Sequence, residues 1–318
     1  MSLHAAPGRP SPSASPASAD SGFPHHAPAR PLGVVLVRTA PFVAALLLAS
    51  VVLRLGGFDT AVFLALNGAL GRLAPDVVWS VLSEIGLGSS AAVIVLALWR
   101  GRDALSRATV AGLIWCYPIG GLLSAGLKRV FDTPRPPAVL APELFHLIGA
   151  RLTQHSLPSG HSITAFTVAT LLVLVWVGGR RWSSPLQAWA MRLALFALAA
   201  AVALSRVAVA AHWPSDICAG AGLGVLAAAL AQAAAQRGRL VDWLGSARGQ
   251  AVLALLLVLL TWMILKPLLA GRGDYPLAQP LDVLLAAVAA QAAVWRAAQA
   301  WALWQAERRD IRGDEGAA

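Results

Sequence analysis

Long apolar segments separated by short arginine-rich connections dominate this chain of 318 residues. Hydrophobic residues make up 58% of it and charged residues 13%, whereas a water-soluble domain of this length needs more polar surface. An apolar run of about 20 residues is long enough to cross the hydrocarbon core of a bilayer as a helix. Because such a run must satisfy its backbone hydrogen bonds internally, the segments are predicted to be helices. The expected fold class is therefore all-α, a polytopic bundle of transmembrane helices.

We predict seven membrane-spanning segments and an eighth that either crosses the bilayer or lies along its surface. The seven lie at residues 40–53, 77–99, 108–127, 162–177, 193–211, 217–235 and 251–265. The first extends back to Leu32 if the Arg38 side chain reaches towards water. The eighth segment, residues 281–304, contains Arg296 and two glutamines, which are also compatible with an interfacial helix.

Changes in composition divide the chain into four parts. Residues 1–30 are rich in proline, serine, alanine and glycine, and we predict a disordered tail because they have too little apolar mass to offset the entropy of ordering. Residues 31–235 are assigned to the membrane core. Residues 236–304 are assigned to additional C-terminal membrane segments, and residues 305–318 to a polar C-terminal tail.

Arginine clusters in alternate connections indicate how the chain is oriented. They follow the second, fourth and sixth predicted spans and comprise Arg100, Arg102, Arg107, Arg180, Arg181, Arg192, Arg237, Arg239 and Arg248. The positive-inside tendency places these connections in the cytoplasm. Nearly all of the basic residues behind the net charge of +10 are arginines, and they lie in short clusters between apolar runs, so a nucleic-acid partner is not expected. The connection after the third span is basic although it is predicted to face outside, and this exception requires another explanation.

Three short polar stretches interrupt the apolar segments, at residues 128–136, 158–161 and 205–216. All three are predicted to lie at the outer face of the membrane. Ionisable side chains at membrane depth are costly, and they are therefore functional candidates. We expect these stretches to form one site.

The first component of that site is a set of groups suited to bind phosphate. Lys128, Arg135 and Arg206 supply three cations, and the planar fork of arginine matches phosphate oxygens. Ser159 and Gly160 stand at the predicted start of a helix, where free N–H groups and the helix dipole favour an anion.

The second component is a pair of histidines. His212 precedes Asp216 by four residues, so the carboxylate can hold one ring nitrogen and leave the other as a nucleophile. His161 has no acidic companion in its motif and is interpreted as a general acid that later activates water. A metal is not expected, because the surrounding cations would repel it. Taken singly, these groups also fit interfacial anchors, a helix cap and a polar helical contact, but their conjunction favours phosphoryl transfer.

The three stretches read Lys-x6-Arg-Pro, Pro-Ser-Gly-His and Ser-Arg-x5-His-x3-Asp, and they resemble the signature of the phosphatidic acid phosphatase type 2 superfamily. The resemblance covers roughly residues 77–235. It implies a core of six transmembrane helices, a phosphohistidine intermediate and a mechanism without metal or cofactor. By position it implies phosphate binding by Lys128, Arg135, Ser159, Gly160 and Arg206, acid catalysis by His161, nucleophilic attack by His212 and orientation of His212 by Asp216. The N-terminal tail and the apolar segments after residue 250 are additions, and we expect neither to touch the site.

We therefore expect a hydrolase of phosphoric monoesters or diphosphates in a bacterial inner membrane, with its site facing the periplasm or the exterior. The resemblance suggests undecaprenyl diphosphate, phosphatidic acid, phosphatidylglycerophosphate and lipid A phosphates as substrates, and the sequence does not choose among them. The alternatives are a lipid phosphotransferase that uses the same site and a non-catalytic membrane transporter or scaffold. The expected partners are the lipid phosphate and membrane lipids, and the oligomeric state is left open.

Overall fold

The computed structural model describes residues 32–101 and 103–315, with the backbone alone from residue 310 onwards. The predicted disordered tail, residues 1–30, lies outside this part of the chain. The described residues form helices and no strand, which confirms the all-α fold class. The helices are α1 (Leu32–Leu55), α2 (Asp59–Leu73), α3 (Asp76–Ile85), α4 (Gly88–Leu98), α5 (Ala104–Phe131), α6 (Pro136–Val139), α7 (Gly160–Leu172), α8 (Pro185–Ala208), α9 (Pro214–Arg237), α10 (Leu240–Trp243), α11 (Ala247–Leu269) and α12 (Gln279–Glu315). A π-helical turn, Val173–Val177, continues α7, and 3₁₀ turns lie at Pro142–Leu144 and Pro276–Ala278.

Seven helical segments of the described chain are long and apolar enough to cross a membrane. They correspond to α1, α5 with α6, α7 with its π turn, α8, α9, α11 and α12 with the preceding 3₁₀ turn. The chain is therefore a multi-pass membrane protein. Six of the seven predicted spans coincide with these segments, and α1 begins at Leu32 as the sequence allowed.

The second predicted span, residues 77–99, is wrong as a single helix. The chain forms α3 and α4 instead, and the break falls at Gly86 and Leu87. A Cβ placed on Gly86 would lie 2.4 Å from Val202 Cγ1 of α8 and 3.4 Å from His161 Cβ of α7. Glycine therefore lets this break approach two other helices closely.

Helix α2 is a further element that the apolar pattern did not predict. It is only 15 residues long and carries Asn67 and Arg72 among its apolar residues, so it is too short to span a membrane alone. Helices α2 and α3 meet at a bend of 110° and together are apolar enough to count as one broken span. The amide of Asn67 donates to the carbonyl oxygens of Val207 and Ala208 at 3.1 and 3.0 Å, which fixes α2 beside the end of α8.

Helices α11 and α12 pack against each other as a C-terminal hairpin. The eighth predicted segment, residues 281–304, lies within α12, which is a candidate span rather than an isolated surface helix. The polar C-terminal tail predicted from residue 305 begins within α12, which continues to Glu315. Arg296 of α12 is 2% exposed and donates to Gln250 Oε1 of α11 at 2.8 Å and to the Trp99 carbonyl oxygen at 3.0 Å. This arginine therefore joins the hairpin to the end of α4.

Helix α9 lies at the centre of the bundle and is the most buried of the candidate spans. It packs against α7 through small residues, as helices in membranes often do. A Cβ on Gly220 would lie 2.6 Å from the Ser159 carbonyl oxygen, and one on Gly224 would lie 2.6 Å from the Ile163 carbonyl oxygen. The Thr167 hydroxyl donates to the Gly224 carbonyl oxygen at 3.0 Å. This close seam holds the start of α7 next to the start of α9.

Candidate active site

The site lies where α5 and α8 end and α7 and α9 begin. The helix ends and connections at this end of the bundle contain all three polar stretches, residues 128–136, 158–161 and 205–216. The arginine-rich connections lie at the other ends of the same helices. There the indole rings of Trp99, Trp176 and Trp182 stack edge to face, with centroid distances of 5.5 and 5.8 Å. The helix directions thus separate the polar stretches from the arginine clusters.

His212 is 1% exposed and lies in the turn between α8 and α9. Its Nε2 lies 3.2 Å from Arg135 Nη1, and its Nδ1 lies 3.4 Å from Asp216 Oδ2. Because a guanidinium can only donate, Nε2 must carry the lone pair, and the ring proton then lies on Nδ1, facing the carboxylate. The arrangement supplies the tautomer that a nucleophilic Nε2 requires.

Burial lowers the pKa of His212 well below 6.5, and the positive charges of Arg135, Arg206 and Lys128 lower it further. The ring is therefore neutral at neutral pH in the absence of a bound anion. A neutral imidazole keeps the lone pair that nucleophilic attack needs.

Asp216 is fully buried at the start of α9 and accepts several hydrogen bonds. Oδ2 accepts from the Trp213 backbone N–H at 2.9 Å and from the Ser156 hydroxyl. Oδ1 accepts from Arg54 Nη2 of α1 at 2.7 Å. Neither Arg54 nor Ser156 was predicted from the sequence, because both lie outside the three stretches and Arg54 stands at the end of an apolar span like an ordinary anchor.

Arg54 belongs to a wider polar network at the ends of α1, α2 and α9. It also donates to the Ser215 hydroxyl, from Nε at 3.2 Å and from Nη2 at 3.1 Å. Asp59 at the start of α2 accepts from the Ser215 backbone N–H at 2.9 Å and from its hydroxyl. The network ties α1 and α2 to the start of α9 and orients the Asp216 carboxylate.

Arg135 is held mainly by backbone carbonyl oxygens. Its Nε donates to Gln154 at 2.7 Å, and its Nη1 donates to Ala211 at 2.8 Å. It follows Pro134 and caps α6 in extended backbone conformation, as the flanking prolines predict. The side chain therefore lies against the His212 ring with its guanidinium fixed in orientation.

Arg206 near the end of α8 is 1% exposed. Its Nη1 donates to Tyr275 Oη at 2.7 Å, while its Nε has no hydrogen-bond partner among the described residues. Tyr275 lies in the connection between α11 and α12. The expectation that the segments after residue 250 do not touch the site is therefore wrong, because the hairpin places a side chain on a predicted phosphate-binding arginine.

Ser159, Gly160 and His161 form the first turn of α7. The Ser159 hydroxyl caps the helix by accepting from the Ser162 backbone N–H at 3.4 Å, as expected for a serine at this position. A Cβ on Gly160 would lie 3.3 Å from Ser124 Oγ and 3.9 Å from Lys128 Nζ. Glycine thus brings this helix terminus close to the cation on α5.

The eight predicted site residues therefore lie together at one end of the bundle. His161 lies within electrostatic reach of Arg206, Lys128 and Arg135 and of the His212 ring. The start of α7 and three cationic side chains lie around His212, which is buried, and His161, which is half-buried. Such a site favours a small anion of high negative charge, and the buried Arg206 Nε lacks the acceptor that the anion would supply.

The connection between α6 and α7 also positions two other histidines. His146 donates its backbone N–H to Asn67 Oδ1 at 2.8 Å, and its ring lies 2.9 Å from the Asp76 carboxylate. The His155 ring pairs with Asp132 at 3.0 Å, and both side chains are exposed. These contacts join the connection to α2, to the start of α3 and to the end of α5.

Comparison with known proteins agrees with the motif assignment. A family model described as the PAP2 superfamily matches residues 109–239, which include all three polar stretches. The lipid A 1-phosphatase of Porphyromonas gingivalis is 32% identical over 129 residues, which are 40% of this chain. The aligned part spans 24% of the length of that relative.

A solved structure is also similar to this chain. The crystal structure of Aquifex aeolicus LpxE shares 26% sequence identity with it, covers 55% of this chain and 94% of the other, and gives a TM-score of 0.43. The family match covers residues 109–239, and the complete set of motifs lies within it, so this part of the chain is similar to the PAP2 superfamily.

Proposed function

We propose that this chain is an integral membrane phosphatase that hydrolyses a lipid phosphate or diphosphate through a phosphohistidine intermediate. The observation that carries the proposal is the pairing of a neutral His212, whose Nε2 bears the lone pair, with a cationic site in which the buried Arg206 Nε lacks an acceptor. Phosphate supplies the missing acceptor oxygens and sets its phosphorus in front of the nucleophile.

The reaction has two steps on this site. His212 Nε2 attacks phosphorus, and the bond from phosphorus to the leaving oxygen breaks while His161 donates a proton to that oxygen. Asp216 stabilises the positive charge on the ring. In the second step His161 takes a proton from water, which attacks the phosphohistidine and releases inorganic phosphate. Lys128, Arg135, Arg206 and the start of α7 hold the phosphoryl oxygens in both steps.

The substrate is proposed to be a lipid, because the site lies at one end of a bundle of candidate spans. A lipid A phosphate is the first candidate, because a relative named lipid A 1-phosphatase is 32% identical to this chain over 129 residues. Undecaprenyl diphosphate, phosphatidic acid and phosphatidylglycerophosphate are the other candidates. We further propose that the protein lies in the inner membrane of a bacterium with the site facing the periplasm, because the arginine clusters at the opposite end favour the cytoplasm.

A substrate panel with the purified protein in detergent tests this proposal. We expect release of inorganic phosphate from at least one of the four lipids, with no loss of activity in EDTA and with inhibition by vanadate, which resembles the transition state of phosphoryl transfer. Activity that disappears with EDTA and returns with a divalent ion would contradict the metal-independent mechanism. Transfer of the phosphoryl group to an added lipid alcohol, rather than to water, would indicate the phosphotransferase instead.

A further inference from the structure

The C-terminal hairpin contributes a side chain to the site although it lies outside residues 109–239. Its connection, between α11 and α12, contains Asp274 and Tyr275. Tyr275 is 5% exposed, and its hydroxyl oxygen accepts the hydrogen bond from Arg206 Nη1. The guanidinium carbon of Arg206 lies 5.4 Å from the centroid of the same ring. Tyr275 therefore contacts this arginine both through its hydroxyl and through its ring.

Backbone contacts hold Tyr275 in this place. The Asp274 carbonyl oxygen accepts from the Ala150 backbone N–H at 2.9 Å, and the Tyr275 carbonyl oxygen accepts from the Ala278 N–H at 2.9 Å. Gly149 has a φ of +77°, and a Cβ there would lie 2.7 Å from Tyr275 Cδ1. The connection between α6 and α7 and the C-terminal hairpin thus pack together around the Tyr275 ring, so the hydroxyl is fixed before any ligand arrives.

The contact determines which donors of Arg206 remain for a ligand. A guanidinium has five N–H donors in a rigid plane, and Tyr275 Oη takes one of them on Nη1. Nε, on the other edge of the plane, has no acceptor among the described residues. Because the ring contact also restrains the plane, the free edge keeps one orientation. A planar donor edge of this kind suits the oxygens of a phosphoryl group.

We propose that Tyr275 is a positioning residue for the substrate phosphate and acts by fixing the Arg206 guanidinium. The C-terminal hairpin is then part of the catalytic unit rather than an independent membrane anchor. This inference rests on the proposed function, because it assumes that Arg206 binds the phosphate.

The test is equilibrium binding of orthovanadate to the full-length protein in detergent. Tyr275→Phe removes the hydroxyl and keeps the ring, so we expect vanadate affinity to fall by about tenfold, as for loss of a hydrogen bond to a charged group. Tyr117→Phe is the matched control, because that hydroxyl donates to the Gly88 carbonyl oxygen and not to Arg206. Unchanged affinity in Tyr275→Phe would overturn the inference.

A double-mutant cycle separates positioning from general stability. If Tyr275 acts through Arg206, Tyr275→Phe should weaken vanadate binding much less in an Arg206→Lys background than in the wild type. An equal loss in both backgrounds would mean that the tyrosine only supports the fold, and the inference would fail. If wild-type protein neither binds vanadate nor releases phosphate from any lipid of the panel, the proposed function fails instead.

Discussion

His212 and His161 lie in the same cationic site but have different partners. His212 contacts Asp216 through Nδ1 and Arg135 through Nε2, whereas His161 is surrounded by cations. We propose that the carboxylate contact makes His212 the nucleophile, and we assign proton donation to His161, whose motif contains no acidic residue. Replacement of the two histidines is therefore predicted to affect formation of the covalent intermediate differently.

We expect His212→Ala to abolish the covalent intermediate. His161→Ala should still form it slowly from a substrate with an acidic leaving group, because such a group needs little protonation. Rapid quenching with radiolabelled substrate, followed by detection of acid-labile and base-stable phosphate on the protein, measures both. If His212→Ala still trapped the adduct and His161→Ala did not, the two roles would have to be exchanged.

Arg54 is predicted to support catalysis through Asp216. Replacing it with alanine removes the 2.7 Å ion pair from a fully buried carboxylate, which then orients the His212 ring less firmly. We expect kcat to fall by about tenfold with little change in KM, because Arg54 does not touch the phosphate. Asp216→Asn should be far more severe, by about 10⁴ as in the comparable change of a serine-protease triad.

The control for Arg54 lies on the same helix. Arg38 is an exposed residue near the opposite end of α1, so Arg38→Ala should keep wild-type kcat. An Arg54→Ala variant with wild-type kcat and unchanged thermal stability would exclude this role for Arg54.

At the scale of elements, the seam between α7 and α9 determines where His161 lies. Gly224→Val places a side chain where even a Cβ would lie 2.6 Å from the Ile163 carbonyl oxygen, so the helices must separate. We expect a loss of about 1–3 kcal/mol of stability, together with lower activity because Ser159 and His161 move with α7. Thermal unfolding in detergent and phosphate release measure the two effects.

Gly121 of α5 provides the matched control for the seam. A Cβ on this glycine meets no atom within 4 Å, so Gly121→Ala should change neither thermal stability nor activity appreciably. If the two glycine variants had equal thermal stability and equal activity, the close approach of α7 and α9 would not be required for either property.

At the scale of the whole molecule, the alternating arginine clusters predict the orientation in the membrane. In a variant lacking Cys116 and Cys218, single cysteines placed within residues 136–157 should react with an impermeant thiol reagent on intact cells. Cysteines placed within residues 180–192 should react only after the membrane is opened. Labelling of the second connection from outside would reverse the orientation and move the proposed substrate to the cytoplasmic leaflet.

The sequence alone determined the class of fold and the set of groups that meet at the site. Apolar runs of spanning length have few alternatives to helices in a bilayer, and for this reason most of the predicted spans coincide with helices. The order of the three polar stretches along alternating helices also brings their residues to one end of the bundle. Lys128, His161 and His212 are therefore predictable from local pattern and the direction of the chain.

The tertiary structure alone decided the contacts that join distant segments. The break at Gly86 depends on how closely α3 and α4 approach α7 and α8. The apolar run at residues 77–99 does not indicate which helices pack against it. Arg54 and Tyr275 look like an interfacial anchor and a connecting residue in the sequence. Their partners, Asp216 and Arg206, lie 162 and 69 residues away, and only the packing of the bundle brings them together. The apolar pattern of a segment reflects the surroundings of its own helix, whereas contacts between residues far apart in the sequence depend on the packing of the whole chain.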